Sequence, residues 1–190
     1  MRSLALLLLV VGLVACASPP TSLQFPRYGW YARLGPELMI ADFEAEDGNQ
    51  TPAVSPGLGL TVGAINTQGY DEGWGLEATL EYTEHKLDNN VTANYKRYLV
   101  GGRYVFNMDH KIRPSVTFGA AYHVIQMQDA DNEFRIDGPG VYGGIGADWQ
   151  LTESWAVGVD WKLHLGYLQN SFDKNFVLWS VAGLWLTYYF

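Results

Sequence analysis

Between Val141 and Tyr167 the chain alternates apolar and polar residues with a period of two, broken only at Thr152-Glu153-Ser154. Val141, Gly143, Ile145, Ala147, Trp149 and Leu151 share one parity, and Tyr142, Gly144, Gly146, Asp148 and Gln150 share the other. After the break, Trp155, Val157, Val159, Trp161, Leu163, Leu165 and Tyr167 alternate with Ala156, Gly158, Asp160, Lys162, His164 and Gly166. Side chains of a strand point alternately to its two faces. The stretch therefore predicts a hairpin with one wholly apolar face and one small, polar and charged face. Trp149 and Trp155 stand beside the turn at the end of the apolar face. An apolar face that ends in aromatic rings is the pattern of a strand crossing a membrane.

The N-terminus bears on the compartment. Arg2 precedes an apolar run from Leu4 to Ala15, too short for a spanning helix and suited to the apolar core of a signal peptide. The run ends Leu13-Val14-Ala15-Cys16, and Cys16 is the single cysteine, so one chain holds no disulfide. This ending resembles a bacterial lipoprotein signal. The resemblance implies a lipid on Cys16 as the first mature residue and, with Ala17 rather than Asp behind it, delivery to the outer membrane. A Cys16 left inside an ordinary signal peptide is the alternative. Residues 1–15 are thus expected to be the signal peptide, and residues 16–26, with Pro19, Pro20 and Pro26, an extended tether. Residues 27–190 form one domain. The net charge of −8 becomes −9 without Arg2, and no basic stretch suggests nucleic acid.

Six further strand candidates show the same alternation, for eight in all. The first, Arg27 to about Phe43, sets Tyr28, Trp30, Ala32, Leu34, Leu38 and Ile40 against Arg33 and Glu37. The second, Pro56 to Ile65, turns Leu58, Leu60, Val62 and Ala64 outward and Gly57, Gly59 and Gly63 inward. The third, Trp74 to Thr83, sets Leu76, Ala78, Leu80 and Tyr82 against Glu77 and Glu81. The fourth, Tyr95 to Phe106, sets Tyr98, Val100 and Tyr104 against Arg97, Gly101 and Arg103, and the fifth, Ile112 to Met127, sets Val116, Phe118 and Tyr122 against Arg113, Ser115 and His123. The eighth, Phe176 to Phe190, is apolar on both parities. Links at 107–111 and 152–154 are short, whereas those at 44–55, 84–94, 128–138 and 169–175 are longer, polar and acidic. Short turns at one end and longer loops at the other fit an all-β, eight-stranded, antiparallel up-and-down transmembrane barrel. With an even strand count both termini are periplasmic, where a lipid on Cys16 would also lie. Trp30, Trp74, Phe106, Trp149, Trp155, Tyr188 and Phe190 then fall at the periplasmic rim, suited to an interface between apolar and polar media.

Residues 143–155, Gly-Gly-Ile-Gly-Ala-Asp-Trp-Gln-Leu-Thr-Glu-Ser-Trp, resemble the strand, Leu-Thr-x-x-Trp turn and strand of the OmpA/OmpX/OmpW-like superfamily of Gram-negative outer-membrane barrels. The ending Leu186-Thr187-Tyr188-Tyr189-Phe190 is similar to the signal read by the barrel-assembly machinery, which implies Leu186, Tyr188 and Phe190 as that signal. The superfamily includes adhesins, structural proteins, small channels and enzymes, so the resemblance implies fold and location rather than activity.

The inward parity collects Arg33, Glu37, Glu77, Glu81, Arg103, Arg113, Asp148, Asp160 and Lys162, with His123 and His164. They fit either a polar conduit or a salt-bridged plug. The plug is preferred because eight strands leave a lumen just wide enough for side chains. Glu77 and Arg103 are the expected cross-strand pair. The inward glycines Gly57, Gly59, Gly63 and Gly101 leave space the charges need not fill. The His-x-Ser motif of the lipid A deacylases is absent: the histidines read His85-Lys-Leu, His110-Lys-Ile, His123-Val-Ile and His164-Leu-Gly, with His85 and His110 expected in connections. Asp129-Ala-Asp-Asn-Glu-Phe134 begins like a calcium loop, but Phe134 stands where an EF-hand needs glycine. No enzyme, cofactor or metal is expected. The expected function is structural, surface-interacting or adhesive through the loops, with a small channel or carrier for small or apolar solutes as the alternative and a lipid A-modifying enzyme as a weaker one. Expected partners are outer-membrane lipids, lipopolysaccharide, the barrel-assembly machinery and an unidentified extracellular partner.

Overall fold

The computed structural model describes residues 28–44, 50–66, 72–86, 92–128, 133–169 and 174–190. The expected signal peptide and tether, Cys16 and residues 129–132 of the calcium-like loop lie outside them. Eight strands follow in order: β1 Tyr28–Glu44, β2 Gln50–Asn66, β3 Gly73–Lys86, β4 Thr92–Val105, β5 Ile112–Gln128, β6 Glu133–Gln150, β7 Trp155–Gln169 and β8 Lys174–Tyr189. Each pairs antiparallel with its neighbour and β8 pairs with β1, closing the barrel.

One outward row of paired residues gives the barrel its dimensions. From Tyr188 it passes through Ala32, Val62, Ala78, Val100, Ala120, Val141 and Leu165 and returns to β8 at Leu178. The ten residues from Tyr188 to Leu178 are the shear of the sheet, which for eight strands implies a tilt of about 40°. Allowing for this climb, Trp30, Trp74, Phe106, Trp149, Trp155 and Tyr188 fall at one level to within about one residue. All face outward at the rim of the short turns. Tyr82, Tyr98 and Tyr122 form a second belt about eight residues, or about 20 Å, above the first. The surface between is mainly Leu, Val and Ala, with Phe118, Ile145 and Trp161 among them, and its height approaches the apolar band of about 25 Å of an outer-membrane barrel.

The expected strands and their two faces are all present. The four long links, however, are shorter than expected. β2 begins at Gln50 and β6 at Glu133, and β5 and β6 stay paired for six residues beyond Tyr122, to Gln128↔Glu133. Beyond the tyrosine belt a strand need not keep one face apolar, so the ladder continues where the alternation fades. His85 accordingly lies in β3 rather than in a connection, while His110 sits in the β4–β5 turn.

That turn is held by Asn107, whose φ of 52° suits an asparagine, and by the Arg113 Nε donating to His110 O at 3.0 Å. In the β6–β7 turn the backbone N–H of Trp155 donates to Thr152 Oγ1 at 3.1 Å, and that of Leu151 to Trp155 O at 2.9 Å. The Leu-Thr-x-x-Trp sequence is therefore a hydrogen-bonded turn. The last residue also helps close the barrel, since the Phe190 N–H donates to Trp30 O at 2.9 Å.

Val100 lies at mid-height on the outer face and is largely exposed. Val100→Arg is expected to lower unfolding stability in lipid vesicles by about 2–4 kcal/mol, as read by urea titration.

Candidate functional site: the lumenal charge network

Among the described residues, the strands bring charges together out of solvent in the lumen. Among the described residues it buries five cations, Arg33, Arg97, Arg103, Arg113 and Lys162, and five carboxylates, Glu37, Glu77, Glu81, Asp148 and Asp160. With neutral histidines the interior is balanced. A buried charge left unpaired costs several kcal/mol, so the balance is a condition for the fold.

Seven of the nine expected lumenal residues join one network, and Arg97 completes it. Glu81 is its centre. Its Oε2 accepts from Arg97 Nε and its Oε1 from Lys162 Nζ, each at 2.7 Å. Glu37 lies 3.5 Å from Arg97 Nη2 and 3.8 Å from Lys162 Nζ. Lys162 continues to Asp160 at 3.7 Å, Asp160 to Arg33 at 3.5 Å, and Arg33 to Asp148 at 3.4 Å. Asp148 ends the chain on Arg103 Nη2 at 2.6 Å.

The expected pairing of Glu77 with Arg103 is not formed. The register sets Glu77 opposite Gly101 and Arg103 opposite Gly75, so the two sit a step apart. Arg103 instead reaches across the lumen to Asp148, and Glu77 accepts from the Tyr31 hydroxyl at 2.9 Å. The direct cross-strand pair is Glu81 with Arg97. Arg113 lies near the turns and donates to Gln150 Oε1 at 2.8 Å.

Aromatic rings from β8 enter this network, a contribution hidden by that strand's lack of alternation. Trp185 is buried between Arg33 and Lys162, whose charged groups lie 4.8 Å from its ring centroid. A cation so placed is attracted by the ring's negative face. A Cβ on Gly59 would run into the Trp185 indole and the Glu37 carboxylate. The inward glycines therefore admit neighbouring side chains rather than leaving space: Trp185 at Gly59, Tyr31 at Gly63 and Tyr142 at Gly101. His123 and His164 line the lumen as expected, packed against Trp179 at ring distances of 4.7 and 6.2 Å.

Apolar layers cover both ends. Toward the turns lie Tyr31, Ile65, Val105, Met108, Ala156 and Tyr189. Toward the long connections lie Met39, Ala93, Tyr95, Ile125, Leu168, Trp179 and Val181. No residue of either layer is more than 7% exposed. In the upper lumen His85 Nδ1 and Ser55 Oγ are 2.5 Å apart. This is the spacing of a nucleophile and its base, but Ser55 is wholly buried, closed to an acyl substrate. Among the described residues no group of three or more His, Cys, Asp or Glu is placed to hold a metal ion.

Residues 5–182 match the family model described as the outer membrane protein beta-barrel domain. The chain belongs to that family. The barrel domain resembles the attachment invasion locus protein Ail of Yersinia pestis, solved with the heparin analogue sucrose octasulfate. The TM-score is 0.60 at 14% identity, over 87% of this chain and 100% of that one. It is also similar to neisserial surface protein A (TM-score 0.62, 10% identity, 85% and 97% covered). OprG of Pseudomonas aeruginosa aligns with a TM-score of 0.53 at 13% identity, over 89% of this chain and 99% of that one. At these identities the likeness is one of fold. No curated protein matches the sequence.

Removing Glu81 leaves Arg97 and Lys162 without their closest partner. Glu81→Ala is expected to cost about 3–5 kcal/mol, read by urea unfolding in vesicles. Glu81→Gln with Lys162→Met restores neutrality and is expected to recover part of that loss, giving a favourable coupling in the double-mutant cycle.

Proposed function

We propose that this outer-membrane barrel acts from its surface, as a rigid, non-enzymatic wall that presents its outer connections to a partner. The observation that carries this reading is the lumen: a neutral, continuous ion-pair network capped by apolar layers. A water-filled pore would leave its charges hydrated and unpaired. Here they are spent on each other, so the interior serves to hold the wall in shape. The fully buried Ser55 supports the non-enzymatic part of the reading.

In this reading the tryptophan rim and both termini of the chain face the periplasm, and the long connections face outside. A lipid on Cys16 would then anchor the chain in the inner leaflet of the outer membrane. Leu186, Tyr188 and Phe190 would serve as the assembly signal, consistent with the closing bond from Phe190 to Trp30. A second reading, a carrier for small apolar solutes, is favoured by one feature: the upper lumen is lined by Met39, Ile125, Leu168 and Val181.

The refolded protein in planar bilayers is expected to show no resolvable conductance, and Glu81→Ala no new steps of fixed size. Steady conductance altered by that substitution would place function in the lumen. Uptake of an apolar dye into protein-loaded vesicles without conductance would support the carrier reading instead.

A further inference from the structure

Just beyond the tyrosine belt, on the outer wall, β5, β6 and β7 enclose a shallow recess of about 480 Å³. Pro139, the outward residue of β6 between Asp137 and Val141, leaves it open because it projects no long side chain. Tyr122 and Tyr167 flank it, and Arg135, Asp137 and Gln169 complete the lining.

The recess holds a prepared cation. Asp137 Oδ1 accepts from the Tyr122 hydroxyl at 3.0 Å, and Oδ2 from Arg135 Nε at 2.9 Å. Both carboxylate oxygens are thus engaged and fix the guanidinium by its inner nitrogen. No described hydrogen bond or ion pair uses the Nη1 and Nη2 fork of Arg135, whose side chain is 57% exposed. A second cation stands nearby. The paired row Lys96↔Val124↔Asp137 puts Lys96 two strands, or about 10 Å, from Asp137. Lys96 Nζ donates once, to Gln126 Oε1 at 3.0 Å, which leaves two of its three donors. Glu84, also on the outward parity, stands three strands from Arg135, on the far side of Lys96.

Position and chemistry together select the ligand. The recess opens away from the lumen, at headgroup level above the apolar band, so its occupant is a membrane component. A planar guanidinium fork suits a phosphate. Two tyrosines, each with an apolar ring and a polar tip, suit a sugar ring with its hydroxyls. We propose that this recess binds the phosphorylated sugar headgroup of an outer-leaflet glycolipid, with Arg135 forking a phosphate and Lys96 supplying a second charge. The proposal rests on the outward orientation given above.

The test uses refolded full-length protein in micelles with EDTA, titrated with bisphosphorylated lipid A, dephosphorylated lipid A and inorganic phosphate. Bisphosphorylated lipid A is expected to bind, and Arg135→Gln with Lys96→Gln to weaken it by about tenfold or more. Lys111→Gln, at the other rim, leaves it unchanged. Equal binding of dephosphorylated lipid A, or an unaffected double variant that keeps its heat-dependent gel shift, overturns the proposal. Equal binding of inorganic phosphate would make the recess a free-anion site and overturn the headgroup assignment. Orientation is read separately, by labelling Gln128→Cys in a Cys16→Ser background on intact cells with a membrane-impermeant maleimide. Labelling without lipid A binding rejects the site alone; absence of labelling rejects the orientation and the outer-leaflet assignment with it.

Discussion

A backbone amide in hydrocarbon has no water to bond, so a chain that crosses a membrane by strands must close its sheet. Here the closure is the pairing of β1 with β8, and the other features follow from it. The ten-residue offset on returning to β8 sets tilt and radius together. That radius leaves a lumen neither wide enough to stay hydrated nor narrow enough for small residues to fill. Long side chains must occupy it, and those that alternate against an apolar outer face are charged.

Filling a narrow lumen with charge works only when the charges cancel. Five buried cations balance five buried carboxylates, four of each in one network, and links between strands distant in sequence, such as Arg33 to Asp148 and Lys162 to Glu81, tie the wall together across its diameter. Trp185 spaces the cations, and Gly59 gives it room. The apolar layers above and below shield the network and strengthen each pair by lowering the local dielectric. A lumen built this way is stiff and closed, which shifts the search for function to the outer wall and the connections above it.

The outer wall is zoned by solvent. The tryptophan rim, the aliphatic band and the tyrosine belt mark successive media, and above them the strands continue with polar faces. It is in this upper zone that Arg135 and Asp137, from a stretch that looks like an irregular acidic loop in one dimension, meet Tyr122 of the belt.

Strand number, strand parity, the two faces and the aromatic rim were legible in the sequence, because lipid on one side and a packed lumen on the other impose a strict period of two. The outward face of each of the first seven strands could be assigned this way. Where lipid no longer constrains one face the period is lost, so the strand extensions at Gln50 and Glu133 and the placement of His85 in β3 emerged only from pairing. β8 was ambiguous for a different reason: Trp179 and Trp185 are apolar yet inward. The identity of the lumenal charges was readable, but not their partners. Parity says that Glu77, Glu81, Arg97 and Arg103 face inward, whereas register and shear decide that Glu81 meets Arg97 and that Arg103 crosses to Asp148. The sequence by itself determined which side each residue faces; the closed barrel decided which residues touch, because contact across a lumen depends on the stagger of all eight strands at once.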